Sequence, residues 1–543
     1  MANAKQQACA SLLPSSTSSM ERRWTRYATR TPLSSETSII MSSRQVGRLV
    51  GEEGGVGFCP RPNPTNLVPT LGMADLPRAT LIAVEQFPTS RHRWYPRQYL
   101  ASSRNFDNQF RRRGVRKKAP VRGLLERSGR GDVACESLRV SLGRSGRAPT
   151  DLPAHLIRSM YAAEEAVRTY GEVVPSAFSN IRNVVVKQPI GAYSILTPWN
   201  FPSAMITRKL GAALAAGCTA VVKPPPEGPF SALALVELAT RAGVPPGVIN
   251  VVTTLANVSE VGREMCENAA VRKVSFTGST PVAKLLYGLA ASTLKKVSLE
   301  AGGNAPFIVF DDADIDAAIE GVIACKFRGT GQTCVCRNRI YVQSSVYAEF
   351  ASRLAERVAA FKVGNGLNKD TTHGPLIHER AVEKVQRHID DAVAQGAQLL
   401  VGGKRLPGAG SFFAPTILSD VPAGALVNKE ETFGPLAALT RFETEEEVIR
   451  LAHDVPVGLA GYFFSRDAGR VWRVAEALEV GMPVVESNTG LISQAVIPFG
   501  GVKGGGRERE SGRVVFNNLD GGQGAGRPVF NNSDGVFNTP DGG

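Results

Sequence analysis

The chain has 543 residues, 43% of them hydrophobic, enough for two or three packed cores. Its longest nearly uncharged apolar run, LGAALAAGCTAVV from Leu210, falls short of the roughly 20 residues that cross a bilayer, so no membrane partner is expected. The net charge of +14 does not mark a nucleic-acid binder: residues 1–150 hold 25 Lys+Arg against 10 Asp+Glu, whereas 151–543 hold 38 against 39, so the body of the chain is electrically neutral.

The eight cysteines show no disulfide-framework spacing, which favours a reducing compartment. The six histidines form no HExxH pattern and there is no CxxC, so no bound metal is expected.

Residues 1–157 are basic, rich in Arg, Ser and Pro, and without sustained periodicity, and are expected to be irregular or disordered. The first 50 residues, with only Glu21 and Glu36 acidic, read either as a mitochondrial transit peptide or as mistranslated sequence. Cytoplasmic and mitochondrial locations both stay open.

From about Ala162 the pattern changes. VVVKQPIGAYSIL reads as strand, SAMITRKLGAALAAG as helix, TAVVKP as strand, FSALALVELATRAG as helix, and GVINVVT and VRKVSF as strands. This alternation predicts a doubly wound parallel sheet over 158–300, with nucleotide binding at its strand ends. A second α/β unit is expected over 301–485, with strands APFIVF and RIYVQ and helices DIDAAIEGVIACKF and VYAEFASRLAERVAAF. A return segment, 486–503, follows. Residues 504–543, where VFNNLDGG, VFNNSDG and VFNTPDGG recur, read as a disordered tail.

The stretch GQTCVC places Cys334 and Cys336 one residue apart. A lone cysteine is usually a small buried hydrophobe, and Cys218 and Cys325 read that way. Cys334 differs, because it follows Gly-Gln-Thr in a tight loop before a strand, where free backbone N–H groups could stabilise a thiolate. Asn200, stiffened between Pro198 and Pro202, could hold an oxyanion or merely form a turn. Glu300 ends an apolar strand before two glycines and could activate water, although such a glutamate is more often a solvated charge. In SFTGSTPVA a strand turns at Gly278 and Ser279 into a helix whose N-terminus could face a pyrophosphate. Lys223, at a strand end, could reach ribose hydroxyls or lie exposed.

Taken in order, PWNFP, VVKP, FTGST, SLEAGGNAPFIVFDDADID, GQTCVC, KEETFGP and PFGGVK resemble the aldehyde dehydrogenase superfamily over about 162–503, with Glu300 and Cys334 separated by 34 positions as in that family. MITRKLGAALAAG, KFRGTGQTCVCRN and NTGLIS resemble its succinate-semialdehyde dehydrogenase branch. The resemblance implies NAD(P)-dependent oxidation of succinic semialdehyde to succinate through a cysteine thiohemiacetal and thioester. It implies Cys334 as nucleophile, Asn200 as oxyanion donor and Glu300 as base. Lys223, Gly278, Ser279, Glu431, Phe433 and Trp199 would bind NAD or NADP, and Arg208, Arg328 and Ser493 the distal carboxylate, as guanidinium chemistry permits. Cys336 resembles the partner of a redox-switch disulfide in some relatives. The alternatives are an enzyme for another short or acidic aldehyde, or an inactive product of a damaged gene on the same scaffold.

The resemblance is broken in four places. Pro226 stands where relatives carry a residue that separates NAD from NADP. Ala283 replaces a glycine of the phosphate turn. GMPVVESNTG is about two residues longer than its counterpart, which could displace Ser493. The N-terminal helices and the final strand that pairs subunits in relatives have no recognisable counterpart. The resemblance implies a homo-oligomer, whereas that last departure predicts poor assembly and reduced stability.

Overall fold

The computed structural model describes residues 189–487 and 492–511, parts of 159–187, and two short strands at Ile39–Met41 and Phe530–Asn531. The remainder of the expected irregular N-terminal segment and of the tail beyond 511 lies outside the described residues.

In the first half the elements are β1 (Ile39–Met41), β2 (Glu172–Val174), β3 (Asn183–Val185), β4 (Ala192–Leu196), α1 (Pro202–Ala215), β5 (Thr219–Lys223), α2 (Phe230–Arg241), β6 (Ile249–Thr253), α3 (Val258–Glu267), β7 (Val271–Thr277), α4 (Thr280–Ala291) and β8 (Lys296–Glu300). Strands β4 to β8 pair in parallel. The sheet order is β6-β5-β4-β7-β8, with β1 added antiparallel beyond β6. The chain winds outward from β4 to β6 and then returns to the other side of β4, so the order reverses between β4 and β7. Ligands of open α/β sheets bind at the carboxyl ends of strands beside such a reversal.

Both faces of this sheet are covered, as parallel strands require. Along β4, Tyr193 and Ile195 pack into one core with α1 and α2, while Ala192 and Leu196 pack into the other with α3 and α4. Ser194, on the latter face, is satisfied by donating to the Met265 carbonyl at 2.9 Å. The continuous strand expected over VVVKQPIGAYSIL is instead split into β3 and β4, because the segment between them contains Pro189, which lacks an N–H, and Gly191, at φ +118°.

The second half contains β9 (Ala305–Val309), α5 (Ile315–Val322), β10 (Arg337–Gln343), α6 (Ser344–Ala359), α7 (Glu379–Ala394), β11 (Gln398–Val401), β12 (Thr416–Ser419), α8 (Leu426–Lys429), β13 (Leu436–Phe442), α9 (Glu445–His453), β14 (Val457–Gly458), β15 (Ala460–Phe464), α10 (Ala468–Ala477), β16 (Met482–Val485), β17 (Val502–Lys503), β18 (Gly506–Arg507) and β19 (Phe530–Asn531). Its sheet runs β11-β12-β13-β10-β9-β15-β16-β19, parallel except for β11. Phe307, Tyr462 and Phe464 anchor the core beneath it, each fully buried aromatic contributing about 1.5–3 kcal/mol. Asp314 caps α5 by accepting from the Ala317 N–H at 3.0 Å. The single helix expected over DIDAAIEGVIACKF changes at Ile323 into a π-helical turn, Ile323–Phe327, which leads toward the loop that carries Cys334.

Residues 504–511, expected as part of a disordered tail, are ordered in the fold. Residues 504–511 pack into the molecule: β18 pairs antiparallel with β8, placing Gly506 opposite Glu300. The glycines that read as disorder serve close approach here, since a Cβ on Gly506 would lie 2.8 Å from the Leu299 carbonyl oxygen.

Candidate active site

The loops after β4 and β7 carry Asn200 and Gly278, Glu300 is the last residue of β8, and the loop before β10 carries Cys334. Because β8 leads through a short link into β9, the carboxyl edge of the first sheet meets the amino edge of the second, and the loop that carries Cys334 enters that junction. Gly303 permits this approach, since a Cβ there would lie 2.6 Å from the Cys334 carbonyl oxygen. Before the cysteine, Gly329, Thr330 and Gly331 all have positive φ. Thr330, which bears the steric cost, is held by donating from its hydroxyl to the Gly374 carbonyl at 3.2 Å.

Cys334 Sγ lies 3.2 Å from Glu300 Oε1, and both residues are buried. Glu300 Oε2 receives Arg208 Nη1 at 3.3 Å and the Thr277 hydroxyl at 3.3 Å. Burial raises the Glu300 carboxyl pKa; the Arg208 cation opposes this, and the Glu510 charge adds to it. The Cys334 thiol is raised by burial and then by the adjacent Glu300 charge. The Sγ–Oε1 geometry is that of a thiol donating to a carboxylate oxygen.

Helix α1 explains the cations. Pro202 occupies its first turn, and nearly every residue from there to Ala215 is buried, so Arg208 and Lys209 have no solvent face and need partners. Lys209 Nζ donates to Thr277 Oγ1 at 2.7 Å and pairs with Glu510. The hydroxyl of Ser275 also reaches Glu510, at 3.1 Å, and the Arg208 guanidinium stacks 4.1 Å above the Phe499 ring. Nearby, Glu508 accepts from Lys273 at 3.0 Å and from Ser298 at 2.7 Å.

Asn200 Nδ2 donates to the Gln332 carbonyl at 3.0 Å, tying the post-β4 loop to the loop that carries Cys334. The amide has a second N–H for an oxyanion. Glu431 Oε1 accepts from the Gly303 N–H at 3.3 Å, and a Cβ on Gly302 would lie 2.7 Å from Glu431 Oε2. Burial lifts the Glu431 carboxyl to about 7. Trp199 meets Phe433 edge to face at 5.6 Å. Ser279 precedes α4 without a side-chain cap, and the first turn of α4 has no acidic residue. These uncapped N–H groups fit an anion. Lys223 is buried, not exposed, and donates only within its own turn to the Pro224 carbonyl at 3.2 Å; burial lowers its pKa. Gly278 donates its N–H to the Glu300 carbonyl at 3.1 Å, linking β7 to β8.

The structure thus brings Cys334, Glu300, Asn200 and Arg208 together and places Glu431, Phe433 and Trp199 alongside. Arg328 lies exposed at the start of the turn Arg328–Gly331, and Ser493 is half-buried in the return segment. Cys336 is buried and its thiol donates to the Cys325 carbonyl at 3.1 Å, while both Cys334 and Cys336 are free. Sequence reasoning missed Lys209, Thr277, Ser275, Phe499 and Glu510. Among the described residues no helix is long and apolar enough to cross a membrane, and no cluster of metal-ligating side chains occurs.

Residues 147–519 match the aldehyde dehydrogenase family. The chain belongs to this family. Its members are oxidoreductases that act on aldehydes with a nicotinamide cofactor, and the two-sheet α/β architecture is theirs. This aldehyde dehydrogenase is 60% identical over 351 residues to glutarate-semialdehyde dehydrogenase of Pseudomonas putida, covering 65% of this chain and 72% of the relative. It is 57% identical over the same length to the NADP(+) succinate-semialdehyde dehydrogenase GabD of Escherichia coli, covering 65% and 72%. Among solved structures, succinate-semialdehyde dehydrogenase from Burkholderia pseudomallei superposes with a TM-score of 0.72 at 46% identity, covering 82% of this chain and 88% of that one.

Proposed function

We propose that this aldehyde dehydrogenase oxidises succinic semialdehyde to succinate. The observation that carries the reading is Arg208, a buried guanidinium whose Nε has no partner, set one carboxylate away from the Cys334 sulfur. A substrate with an acid group at one end and an aldehyde at the other matches a cation and a nucleophile at that separation. The names of the relatives, which act on succinate and glutarate semialdehydes, agree with such a substrate.

In this reading residues 158–300 serve the cofactor and 301–485 the nucleophile. Glu300 takes the thiol proton as Cys334 attacks the aldehyde carbon, and Asn200 with the Cys334 backbone N–H holds the oxyanion. Bound NAD or NADP supplies the acceptor for the hydride that leaves the aldehyde carbon. Ser279, Gly278 and Lys223 would hold its pyrophosphate and adenosine ribose, and Glu431, Phe433 and Trp199 its nicotinamide end. Once the thiol proton has passed from Glu300 to solvent, the regenerated carboxylate removes a proton from water as the water attacks the thioester carbon. Arg328 and Ser493 assist Arg208 with the carboxylate. No nucleic-acid or membrane partner enters the proposal.

The test follows reduced-nicotinamide absorbance with succinic semialdehyde, with glutaric semialdehyde for comparison and Cys334→Ala as control. Turnover of succinic semialdehyde that Cys334→Ala abolishes supports the reading. A clear preference for the longer substrate moves the assignment to it, and turnover that survives Cys334→Ala refutes the mechanism.

A further inference from the structure

The guanidinium proposed to receive the substrate's carboxylate already holds an anion. Arg208 Nη1 lies 3.3 Å from Glu300 Oε2, and the side chains are only 3% and 1% exposed. Glu510 Oε2 stands 4.0 Å away, and the Phe499 ring covers the guanidinium at 4.1 Å. Glu300 uses its other oxygen, Oε1, to accept from Cys334 Sγ at 3.2 Å. The base therefore bridges the two ends that an acidic aldehyde must join, and one cation serves both the base and the substrate.

We infer that the substrate's carboxylate, by taking Arg208, loosens Glu300 from the guanidinium and readies it for the hydrolytic step, so that Arg208 couples recognition of the acid group to turnover. This rests on the carboxylate-binding role proposed for Arg208. With the substrate paired at Nε, which is buried and has no hydrogen-bond partner, the single positive charge is divided between two anions, and the two carboxylates repel one another at short range in buried surroundings. Glu300 then leaves the guanidinium more readily and takes a proton from water. Water oxygen bonds to the thioester carbon, the C–S bond breaks, and Cys334 departs as thiolate, to which the proton on Glu300 returns. The other charged groups facing Glu300 are Lys209 and Glu510, with Glu431 on the opposite loop. An uncharged aldehyde leaves Arg208 on Glu300, so selection against it falls on kcat as well as on KM.

The experiment supplies the substrate in two pieces. Acetaldehyde alone gives a burst of reduced nicotinamide followed by slow turnover, with an acetyl thioester on Cys334 visible in the intact mass. Added acetate, which brings the carboxylate without a reacting group, raises the steady rate about fivefold or more and depletes the thioester. Inhibition by acetate, or no effect of it, overturns the inference. Arg208→Met removes the acetate effect while raising KM for succinic semialdehyde. If acetate still activates Arg208→Met, the inference is overturned. If that variant leaves KM for succinic semialdehyde unchanged, the failure is instead in the assignment of Arg208 as carboxylate receptor, on which the inference depends.

Discussion

Replacing Lys209 with methionine tests whether residues 504–511 belong to the active site. In the native arrangement Lys209 and Glu510 form a pair whose side chains are 1% and 6% exposed, with Lys209 also donating to Thr277. Removing the cation strands a buried carboxylate, which costs about 3–5 kcal/mol where nothing compensates. Ser275 at 3.1 Å and Arg208 at 4.0 Å remain beside Glu510, so the expected loss is near the lower end, about 3 kcal/mol. That corresponds to a fall in melting temperature of about 4 °C for a fold of this size. Activity falls as well, because the Thr277 hydroxyl loses the partner that aims its proton at Glu300, and the pH at which Glu300 ionises moves up without the Lys209 charge. Differential scanning fluorimetry and kcat against pH read both effects. The double variant Lys209→Met, Glu510→Leu, which removes the stranded charge, should be more stable than Lys209→Met alone. A Lys209→Met protein that melts with the wild type, and a double variant no better than the single, would refute the reasoning.

Three further outcomes are expected. Glu431 has its carboxyl raised from 4.5 to about 7 in the fold, so the folded state binds its proton more tightly than the unfolded chain does. That contribution, about 3 kcal/mol, is fully present below the unfolded value and lost as pH rises through the folded one; denaturant titrations of the apoprotein should show it, and an unchanged pH slope in Glu431→Gln would count against it. Pro226 is exposed and has no carboxylate, so Pro226→Glu should lower kcat/KM for NADP by roughly tenfold relative to NAD through repulsion of the 2′-phosphate, and equal losses with both cofactors would contradict this. The proposed switch at Cys336 requires its thiol to leave the Cys325 carbonyl and meet Cys334: dithiothreitol should restore peroxide-treated wild type but not Cys336→Ala, and identical recovery of the two rejects the switch.

Much of the architecture was legible because strand and helix periods alternate cleanly through the body of the chain. The strands AYSIL, TAVVK and APFIV and their covering helices follow directly from apolar runs of the right length. Cys334, Glu300 and Asn200 drew attention for a different reason: Glu300 ends an apolar strand two residues before Gly302, Asn200 lies between Pro198 and Pro202, and Cys334 follows Gly331 in a tight loop before a strand. The second tier was hidden. Arg208 and Lys209 are adjacent cations in an otherwise apolar helix, and that conflict was the available sign that both are buried and paired; the resemblance drew attention to Arg208 alone. Glu510 lies among glycines and charges whose composition reads as disorder, and its pairing with Lys209, its bond from Ser275 and the antiparallel contact of Phe499 with Glu510 bring it inside. Composition describes local freedom, and here the decisive terms were buried charges in need of partners.

The central claim is that one sulfur and one carboxylate carry both halves of the reaction. It is tested most directly by incubating Glu300→Gln with cofactor and succinic semialdehyde, then mapping adducts by peptide mass spectrometry. The account predicts a succinyl thioester that accumulates on Cys334. An unmodified Cys334, or an acyl group on another residue, would contradict it.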